Sequence, residues 1–372
     1  MQFKQAILSI YYRVPSVSAD YLYKILGLPQ TMVRAERARL VEDGCLEKDA
    51  NKNYNITPKG LELLNQIDRE KAADELAFIR HRTEVVRIAL NADISDIHSV
   101  SPLSRGMTND SYIFSCKDKK YIFRKAGAGS EKLVDREREY NTYKALQGKG
   151  ISDVVVYHSA KDGIKITEYI ENTRACDPAS KRDRKAALDA IRKLHTSDIS
   201  SPHDSSFIEM NEHYENLCRN RGAEFFKTYT EYKPRVYSLL GDCEKIHPAK
   251  VFCHIDFVPD NCLIKPDGTV TLIDWEYSGA RDGLVDIAMF CHSAGFTKRE
   301  CDRFLKEYLE RTPTDEEYFR LYTYISAAGM LWSLWSEYKA STGQKFTGYT
   351  QRALGYCERF AKYAQTIKER GI

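Results

Sequence analysis

Residues 254–274 read HIDFVPDNCLIKPDGTVTLID, which is the most informative segment of the sequence for the fold. Its two short apolar runs flank the sequence PDG, which is typical of a tight turn between strands. The pattern predicts a strand, a turn and a returning strand, so Asp274 should come back beside Asn261. Together with Asp256, these residues would bring two carboxylates and one amide oxygen into one place.

The chemistry that best fits this set is phosphoryl transfer. One carboxylate meets the acceptor hydroxyl, while a second carboxylate and an amide oxygen hold Mg²⁺ against the triphosphate. Asp256 and Asn261 stand five positions apart, as in the kinase catalytic loop HRDLxxxN, and Asp274 takes the place of the metal-binding Asp of DFG. An ordinary hairpin with polar ends is the structural alternative. The joined motifs favour a kinase that uses ATP and Mg²⁺.

These residues resemble the aminoglycoside phosphotransferase and choline kinase superfamily, and the resemblance covers about residues 97–372. It implies an α+β, bilobal, protein-kinase-like fold. Its strand-rich nucleotide lobe would span residues 97–170, and its helical lobe, with the catalytic loop and the acceptor site, residues 171–372. The resemblance also implies that Asp256 is the catalytic residue, which orients or deprotonates the acceptor hydroxyl. It further implies that Asn261 and Asp274 ligate Mg²⁺.

The smaller lobe offers candidate contacts to the phosphates of ATP. Residues 104–109 read SRGMTN, and members of the superfamily carry a similar loop over the phosphates, which implies that Gly106, Thr108 and Asn109 bind ATP. The strand YIFRK places Arg124 where protein kinases use a phosphate-binding lysine. An exposed strand charge is the alternative interpretation of Arg124.

Two further segments complete the predicted nucleotide site. Glu139 of the helix DREREY is the expected ion-pair partner of Arg124, with Glu137 as the alternative. The segment TEYI is the expected hinge between the lobes, where Glu168 and Tyr169 would meet the adenine.

The acceptor side is predicted from aromatic residues near the end of the chain. Residues 329–338 read GMLWSLWSEY, so Trp332 and Trp335 lie on one face of a predicted helix. Aromatic faces bind a quaternary ammonium through cation–π attraction, although a buried aromatic stripe is the commoner use of this spacing. The segment resembles the WxxW of choline kinases, nearest to the bacterial enzymes of the phosphocholine pathway. That resemblance implies that Tyr277 and Tyr349 complete an aromatic cage for choline.

One position departs from the family and leaves the acceptor open. Choline kinases usually carry a Glu seven residues after the Asp of their DIA segment, and Ser293 stands at that place here. Glu276 is a candidate to balance the substrate cation instead. The alternative acceptors are ethanolamine, another amino alcohol, a neutral small alcohol, a sugar or an aminoglycoside. Asp286 of the DIA segment is expected to brace the catalytic loop.

The order helix, helix, helix and hairpin over residues 1–65 resembles the winged helix-turn-helix domains of bacterial transcription regulators, and residues 66–96 are predicted to form a helical connector. The resemblance implies candidate DNA contacts on the recognition helix and the wing: Gln30, Thr31, Arg34, Arg37 and Lys52. Nine basic against seven acidic residues in residues 1–65 are a small surplus for a DNA-binding surface, so protein contact is the alternative. A DNA-binding regulator with a kinase-like ligand sensor is the alternative function, and the presence of both carboxylates and the Asn disfavours it.

Composition excludes several other classes. The 372 residues are 42% hydrophobic, and 56 Lys and Arg against 53 Asp and Glu leave a net charge of +3, so no global field attracts a polyanion. The ten cysteines include no CxxC pair, which argues against a zinc site or a disulfide framework. No run of about 20 apolar residues predicts a membrane span, and the N-terminus lacks the features of a signal peptide, so we expect a cytoplasmic protein.

Overall fold

The structure is a computed structural model, and its described residues fall into two compact units. The first unit consists of residues 1–133 and 154–169, and the second of residues 134–153 and 170–372. The described residues are 3–13, 22, 30–50, 53–65, 81–93, 96–103, 109–127, 134–201, 203–204, 206–222, 225, 227–343 and 348–371.

The N-terminal part of the first unit combines helices with one hairpin. The antiparallel strands β1 (Leu46–Lys48) and β2 (Tyr54–Ile56) lie where the sequence predicts strands. The helices are α1 (Phe3–Arg13), α2 (Gln30–Glu42) and α3 (Pro58–Asn65). Their shared core is built from apolar side chains, which include Ile7, Leu8, Val33, Leu40, Leu46 and Leu64.

A five-stranded antiparallel sheet, in the order β3-β4-β5-β7-β6, follows in the first unit. Alternation along β5 sends Tyr121 and Phe123 into the core that includes Val85 and Val86 of the helix α4 (residues 81–90). Arg124 therefore lies on the other face of the sheet. The strands are β3 (Ile97–Pro102), β4 (Asn109–Cys116), β5 (Lys119–Ala126), β6 (Val155–Ser159) and β7 (Ile164–Glu168).

The second unit is mainly helical, with short strands near the catalytic sequence. Its strands are β8 (Arg174–Ala175), β9 (Lys250–Cys253), β10 (Cys262–Ile264), β11 (Val270–Leu272) and β12 (Gly279–Asp282). β10 pairs with both β11 and β8, and β9 pairs with β12. The helices are α5 (Arg136–Leu146), α6 (Lys181–His195), α7 (Phe207–Arg219), α8 (Lys227–Lys245), α9 (Leu284–Ser293), α10 (Lys298–Leu309), α11 (Asp315–Ser341) and α12 (Tyr349–Lys368).

The 27-residue helix α11 runs through the core of the second unit. A capping box of Thr314 and Glu317 begins it, which satisfies two of the backbone N–H groups that a helix leaves unpaired at its start. Gly329 allows close packing on α12, because a Cβ at this position would come within 2.6 Å of the Ala353 carbonyl. None of the helices in the described part of the chain is long and apolar enough to cross a lipid bilayer.

Candidate active site

The predicted hairpin brings the catalytic loop and the residues after it together. β10 and β11 pair in antiparallel register, and the Ile273 N–H donates to the Asn261 carbonyl at 3.1 Å. Asn261 Nδ2 donates to the Asp256 carboxylate at 2.8 Å and to the Asp256 carbonyl at 3.0 Å. An amide that donates through Nδ2 still presents its Oδ1 to a cation. Asp274 follows directly after Ile273 in the chain.

The carboxylates of Asp274 and Glu276 act on that of Asp256. Burial raises the pKa of Asp256 well above its usual range, and the negative charges of Asp274 and Glu276 raise it further. The hydrogen bond from Asn261 has the opposite effect. Carboxylate and amide oxygens are the hard ligands that Mg²⁺ prefers, and a bound cation would relieve the repulsion among the carboxylates. The donor set of this loop therefore suits a magnesium ion.

Asp286, in the first turn of α9, holds the backbone of the catalytic loop. Its fully buried carboxylate accepts the N–H groups of His254 at 2.9 Å and Ile255 at 2.6 Å, and His195 Nε2 lies 2.9 Å from it. His195 Nδ1 in turn lies 2.8 Å from the Tyr308 hydroxyl. Ile255 has φ +66°, a left-handed conformation that a β-branched residue adopts only where its surroundings impose it. The hydrogen bonds confirm the predicted bracing role of Asp286.

His254 ties the loop to the returning strand. Its Nε2 donates to the Ile273 carbonyl at 2.9 Å, which requires a proton on that nitrogen. Burial lowers the pKa of His254, which favours the neutral ring. The ring packs on the fully buried Trp275, with centroids 4.4 Å apart. His254 and Trp275 therefore have structural roles.

α5 contacts the segment that follows the hairpin. The Arg138 guanidinium donates to the Ser278 carbonyl at 2.9 and 2.7 Å and to the Tyr277 carbonyl at 3.0 Å. Thr142 Oγ1 lies 2.8 Å from Ser278 Oγ. Gly279 permits this approach, because a Cβ there would come within 2.5 Å of Arg138 Nη2. Sequence reasoning missed Arg138, whose one local signal is the glycine after Ser278.

Glu139 lies on the same helix and is only 2% exposed. Arg136 Nη1 donates to it at 2.8 Å and lies 3.9 Å from the Glu276 carboxylate. Glu139 thus holds the Arg136 guanidinium near the carboxylate of Glu276. The predicted partner of Glu139, Arg124, lies in the first unit, so the Arg124–Glu139 pair stays a prediction.

The four aromatic residues predicted to surround the acceptor lie together in the second unit, and we call them the aromatic cluster. The rings of Tyr277 and Trp332 meet edge to face at 6.5 Å, and those of Trp332 and Trp335 at 5.7 Å. Tyr349 follows at 6.3 Å from Trp335. Spacing on α11 and packing from two other segments therefore combine to form one aromatic surface.

The negative charge of Asp256 acts on two tyrosines of the aromatic cluster. Burial raises the pKa of Tyr277, and the negative charge of Asp256 contributes to the shift. Burial raises the pKa of Tyr349 to about 12, again with a contribution from Asp256. Tyr214 of α7 adds a further ring, with its hydroxyl 3.0 Å from that of Tyr277. Sequence reasoning missed Tyr214, because it belongs to no motif and reaches the site only through helix packing.

The first unit carries most of the predicted nucleotide contacts. Gly106 and Thr108 lie outside the described residues, and Asn109 begins β4. Glu168 ends β7, where its carboxylate accepts from Lys119 Nζ at 2.6 Å. The peptide N–H groups of Glu168 and Tyr169 donate to carbonyls within this unit, at 2.9 Å each. These two N–H groups are therefore already hydrogen-bonded within the sheet. A contact of this segment with adenine would use its carbonyl groups or side chains.

Buried Lys165 is a further cation of the first unit that sequence reasoning missed. It stands directly opposite Arg124 across β5 and β7, so both side chains leave the sheet on the same face. Alternation along a strand identifies the face of each cation, but the pairing of the two strands is visible only in the fold.

The predicted DNA contacts separate into exposed and buried residues. Thr31 and Arg34 are exposed on α2, whereas Gln30 is the first residue of that helix and Lys52 lies outside the described residues. Arg37 is 9% exposed, and its guanidinium lies 4.2 Å from the centre of the Tyr54 ring. Arg37 is therefore buried between α2 and the hairpin, and this arrangement does not support its predicted contact with DNA.

Comparisons with known proteins identify relatives for most of the chain. The model of the choline/ethanolamine kinase family matches residues 100–363. Protein LicA of Haemophilus influenzae is 27% identical over 261 residues, which cover 67% of this chain and 76% of that protein. The crystal structure of choline kinase LicA from Streptococcus pneumoniae matches with a TM-score of 0.64 and 27% identity, over 77% of this chain and 99% of that chain. A structure of LicA in complex with AMP matches with a TM-score of 0.61 and 28% identity, over 73% of this chain and 92% of that chain.

Proposed function

Because the chain belongs to the choline/ethanolamine kinase family, we propose that it transfers the γ-phosphate of ATP to the hydroxyl of choline. Phosphoryl transfer to an alcohol follows from the family. The protein-kinase-like fold of the choline kinase type agrees with the fold that the sequence predicts.

One observation carries the choice of choline: the aromatic cluster lies within electrostatic reach of Asp256. Trimethylammonium groups bind to aromatic faces through cation–π attraction and through apolar contact with the methyl groups. The hydroxyl of choline lies two carbons from its nitrogen, so a cation held by the rings would present the hydroxyl toward the catalytic carboxylate. An acceptor with several ammonium groups would favour an acidic surface over an aromatic one.

The catalytic residue in this proposal is Asp256. Its carboxylate orients the acceptor hydroxyl and receives its proton, while the hydrogen bond from Asn261 fixes the carboxylate rotamer. Asp286 and His254 keep the loop backbone in the conformation that aims Asp256 at the acceptor. We expect direct in-line transfer without a phospho-enzyme.

Asn261 and Asp274 are the residues that would hold Mg²⁺. Bound there, the ion would neutralise charge on the transferring phosphate. Support comes from the repulsion that Asp274 and Glu276 exert on Asp256, which a divalent cation would offset. On the nucleotide side, Arg124 and residues 104–109 would contact the phosphates. The structure of LicA in complex with AMP supports a nucleotide site in this family.

Residues 1–65 would form a winged helix that accompanies the kinase. Two helices followed by an antiparallel hairpin support this assignment, while the expected helix between those two, over residues 19–26, lies outside the described residues except for Leu22. Thr31 and Arg34 are then the described side chains that face a DNA groove, and protein contact is the alternative use of the same surface.

A cytoplasmic location fits the chemistry. All ten cysteines are free and buried, as is usual for thiols in a reducing compartment, and ATP is the phosphoryl donor.

An acceptor panel tests the proposed function. Magnesium-dependent release of ADP is measured with choline, ethanolamine, a set of sugars and an aminoglycoside, each against an acceptor-free control. We expect the highest kcat/KM with choline, followed by ethanolamine, whose primary ammonium is more strongly hydrated and covers less of the rings. Turnover confined to sugars or aminoglycosides would reject choline as the acceptor.

A further inference from the structure

A positively charged side chain lies against the aromatic cluster and takes no part in the proposed chemistry. Lys339 follows Trp335 by one helical turn on α11, and it is only 6% exposed. Lys339 Nζ lies over the Trp335 ring, 5.8 Å from its centroid, which is within the range of cation–π attraction. The chain thus places an ammonium group on the same aromatic surface that is proposed to receive the ammonium of the substrate.

Glu276 acts on the same ammonium group. Burial lowers the pKa of Lys339, and the Glu276 carboxylate opposes this effect, so it favours the charged form of the lysine. Arg136 Nη1 also lies 3.9 Å from Glu276. Two cations of the chain, Arg136 and Lys339, therefore interact with the negative charge of Glu276.

We propose that Lys339 is a specificity-determining residue, whose positive charge beside Trp335 weakens the binding of cationic acceptors relative to neutral acceptors of the same shape. Two like charges near one partly buried ring surface repel each other more strongly than they would in water, because the local dielectric is lower. The inference rests on the proposed function, since that function identifies the aromatic cluster as the cation site. It adds the residue that sets the charge preference of the site.

The test compares two ligands and two proteins. The ligands are choline and its neutral isostere, in which carbon replaces nitrogen. The proteins are the wild type and Lys339→Met, which removes the charge and keeps a flexible apolar side chain. Binding is followed by intrinsic fluorescence, because Trp332 and Trp335 belong to the cluster. We expect Lys339→Met to bind choline about tenfold more tightly and the isostere with unchanged affinity.

Two control variants separate charge from other effects. Lys339→Arg keeps the charge, and its affinity for choline should remain close to that of the wild type. Lys362→Met removes a positive charge from the exposed surface of α12, where Lys362 pairs with Glu358 at 2.7 Å, and should also bind choline like the wild type.

Equal choline affinity in the wild type and Lys339→Met would overturn the inference. Tighter binding of both ligands would overturn it as well, because released space and not charge would then be the cause. Turnover is measured in parallel. Tighter choline binding to Lys339→Met without choline turnover in either protein would reject the proposed function and retain the charge effect. Absence of choline binding in both proteins would reject the two together.

Discussion

The catalytic loop and the aromatic cluster lie in the same unit but are held by different interactions. Short hydrogen bonds fix the loop, from Asn261 to Asp256 and from two peptide N–H groups to Asp286. Ring packing holds the cluster, with centroids 5.7 to 6.5 Å apart. Hydrogen bonds depend steeply on geometry, whereas apolar contacts weaken gradually. Substitutions of the hydrogen-bonded loop residues should therefore abolish turnover or stability. Substitutions in the cluster should lower the affinity for the acceptor by graded amounts.

The largest effect is expected for Asp256→Asn. The amide cannot accept the proton of the acceptor hydroxyl, so kcat should fall by about a thousandfold. ATP affinity should change little, because the proposed mechanism places Asp256 at the acceptor and not at the nucleotide. Steady-state kinetics and nucleotide titration measure the two quantities. Asp260→Asn, at an exposed position of the same turn, is the matched control, and a kcat of Asp256→Asn within tenfold of the wild type would contradict the assigned role.

Asp286→Ala should have the next largest effect, on stability. It leaves the N–H groups of His254 and Ile255 and the His195 ring without their buried acceptor, which should lower the free energy of unfolding by about 3 kcal/mol. Urea denaturation measures the change. Asp189→Ala breaks surface ion pairs on α6 and should cost less than about 1 kcal/mol. Equal unfolding free energies for the two variants would mean that the loop is held by other contacts.

Arg138→Met should have an intermediate effect. Arg138 joins α5 to the segment of Tyr277 and Ser278, which lies between the loop and the rest of the cluster. Loss of its bonds to the Ser278 and Tyr277 carbonyls should misplace that segment and lower kcat by about tenfold. Lysine keeps the charge but cannot reach both carbonyls through a planar fork, so the kcat of Arg138→Lys should lie between those of the wild type and Arg138→Met. A lower melting temperature with unchanged kcat and KM would identify Arg138 as a purely structural residue.

The smallest effect is expected at the N-terminal helices. A winged helix that contacts DNA through Arg34 should retard duplex DNA at low salt, and Arg34→Ala should weaken binding about threefold. Electrophoretic shifts over a salt series measure it, with Lys185→Ala on exposed α6 as the control. No retardation at about 50 mM salt would favour the protein-contact alternative.

The difference between the two regions also explains what the sequence could predict. Asp256, Asn261, the hairpin and Asp274 lie within one short stretch, where spacing and turn chemistry determine the geometry. The tryptophans were predictable for the same reason, because both lie on one helical face. Tyr214, Arg138 and His195 reach the site through tertiary packing, and no motif of their own segments marks them.

Arg37 shows the opposite limit. An arginine at the expected position of a recognition helix indicates a contact with phosphate or bases, but its neighbour across the fold decides whether the side chain is exposed. Here the Tyr54 ring of β2 covers it. Lys339 likewise looks like an ordinary lysine near the end of a helix, and only its position over Trp335 connects it with the acceptor.

The kinetics of Trp332→Ala with choline test directly whether the aromatic cluster forms the acceptor site. Removal of the indole takes away one face of the cluster and leaves the loop intact, so we predict that the KM for choline rises about tenfold while kcat stays within about threefold. Trp332→Phe, which keeps an aromatic face, should show a smaller rise. An unchanged KM for choline in Trp332→Ala, or a collapse of kcat at unchanged KM, would contradict an acceptor site built on the aromatic cluster.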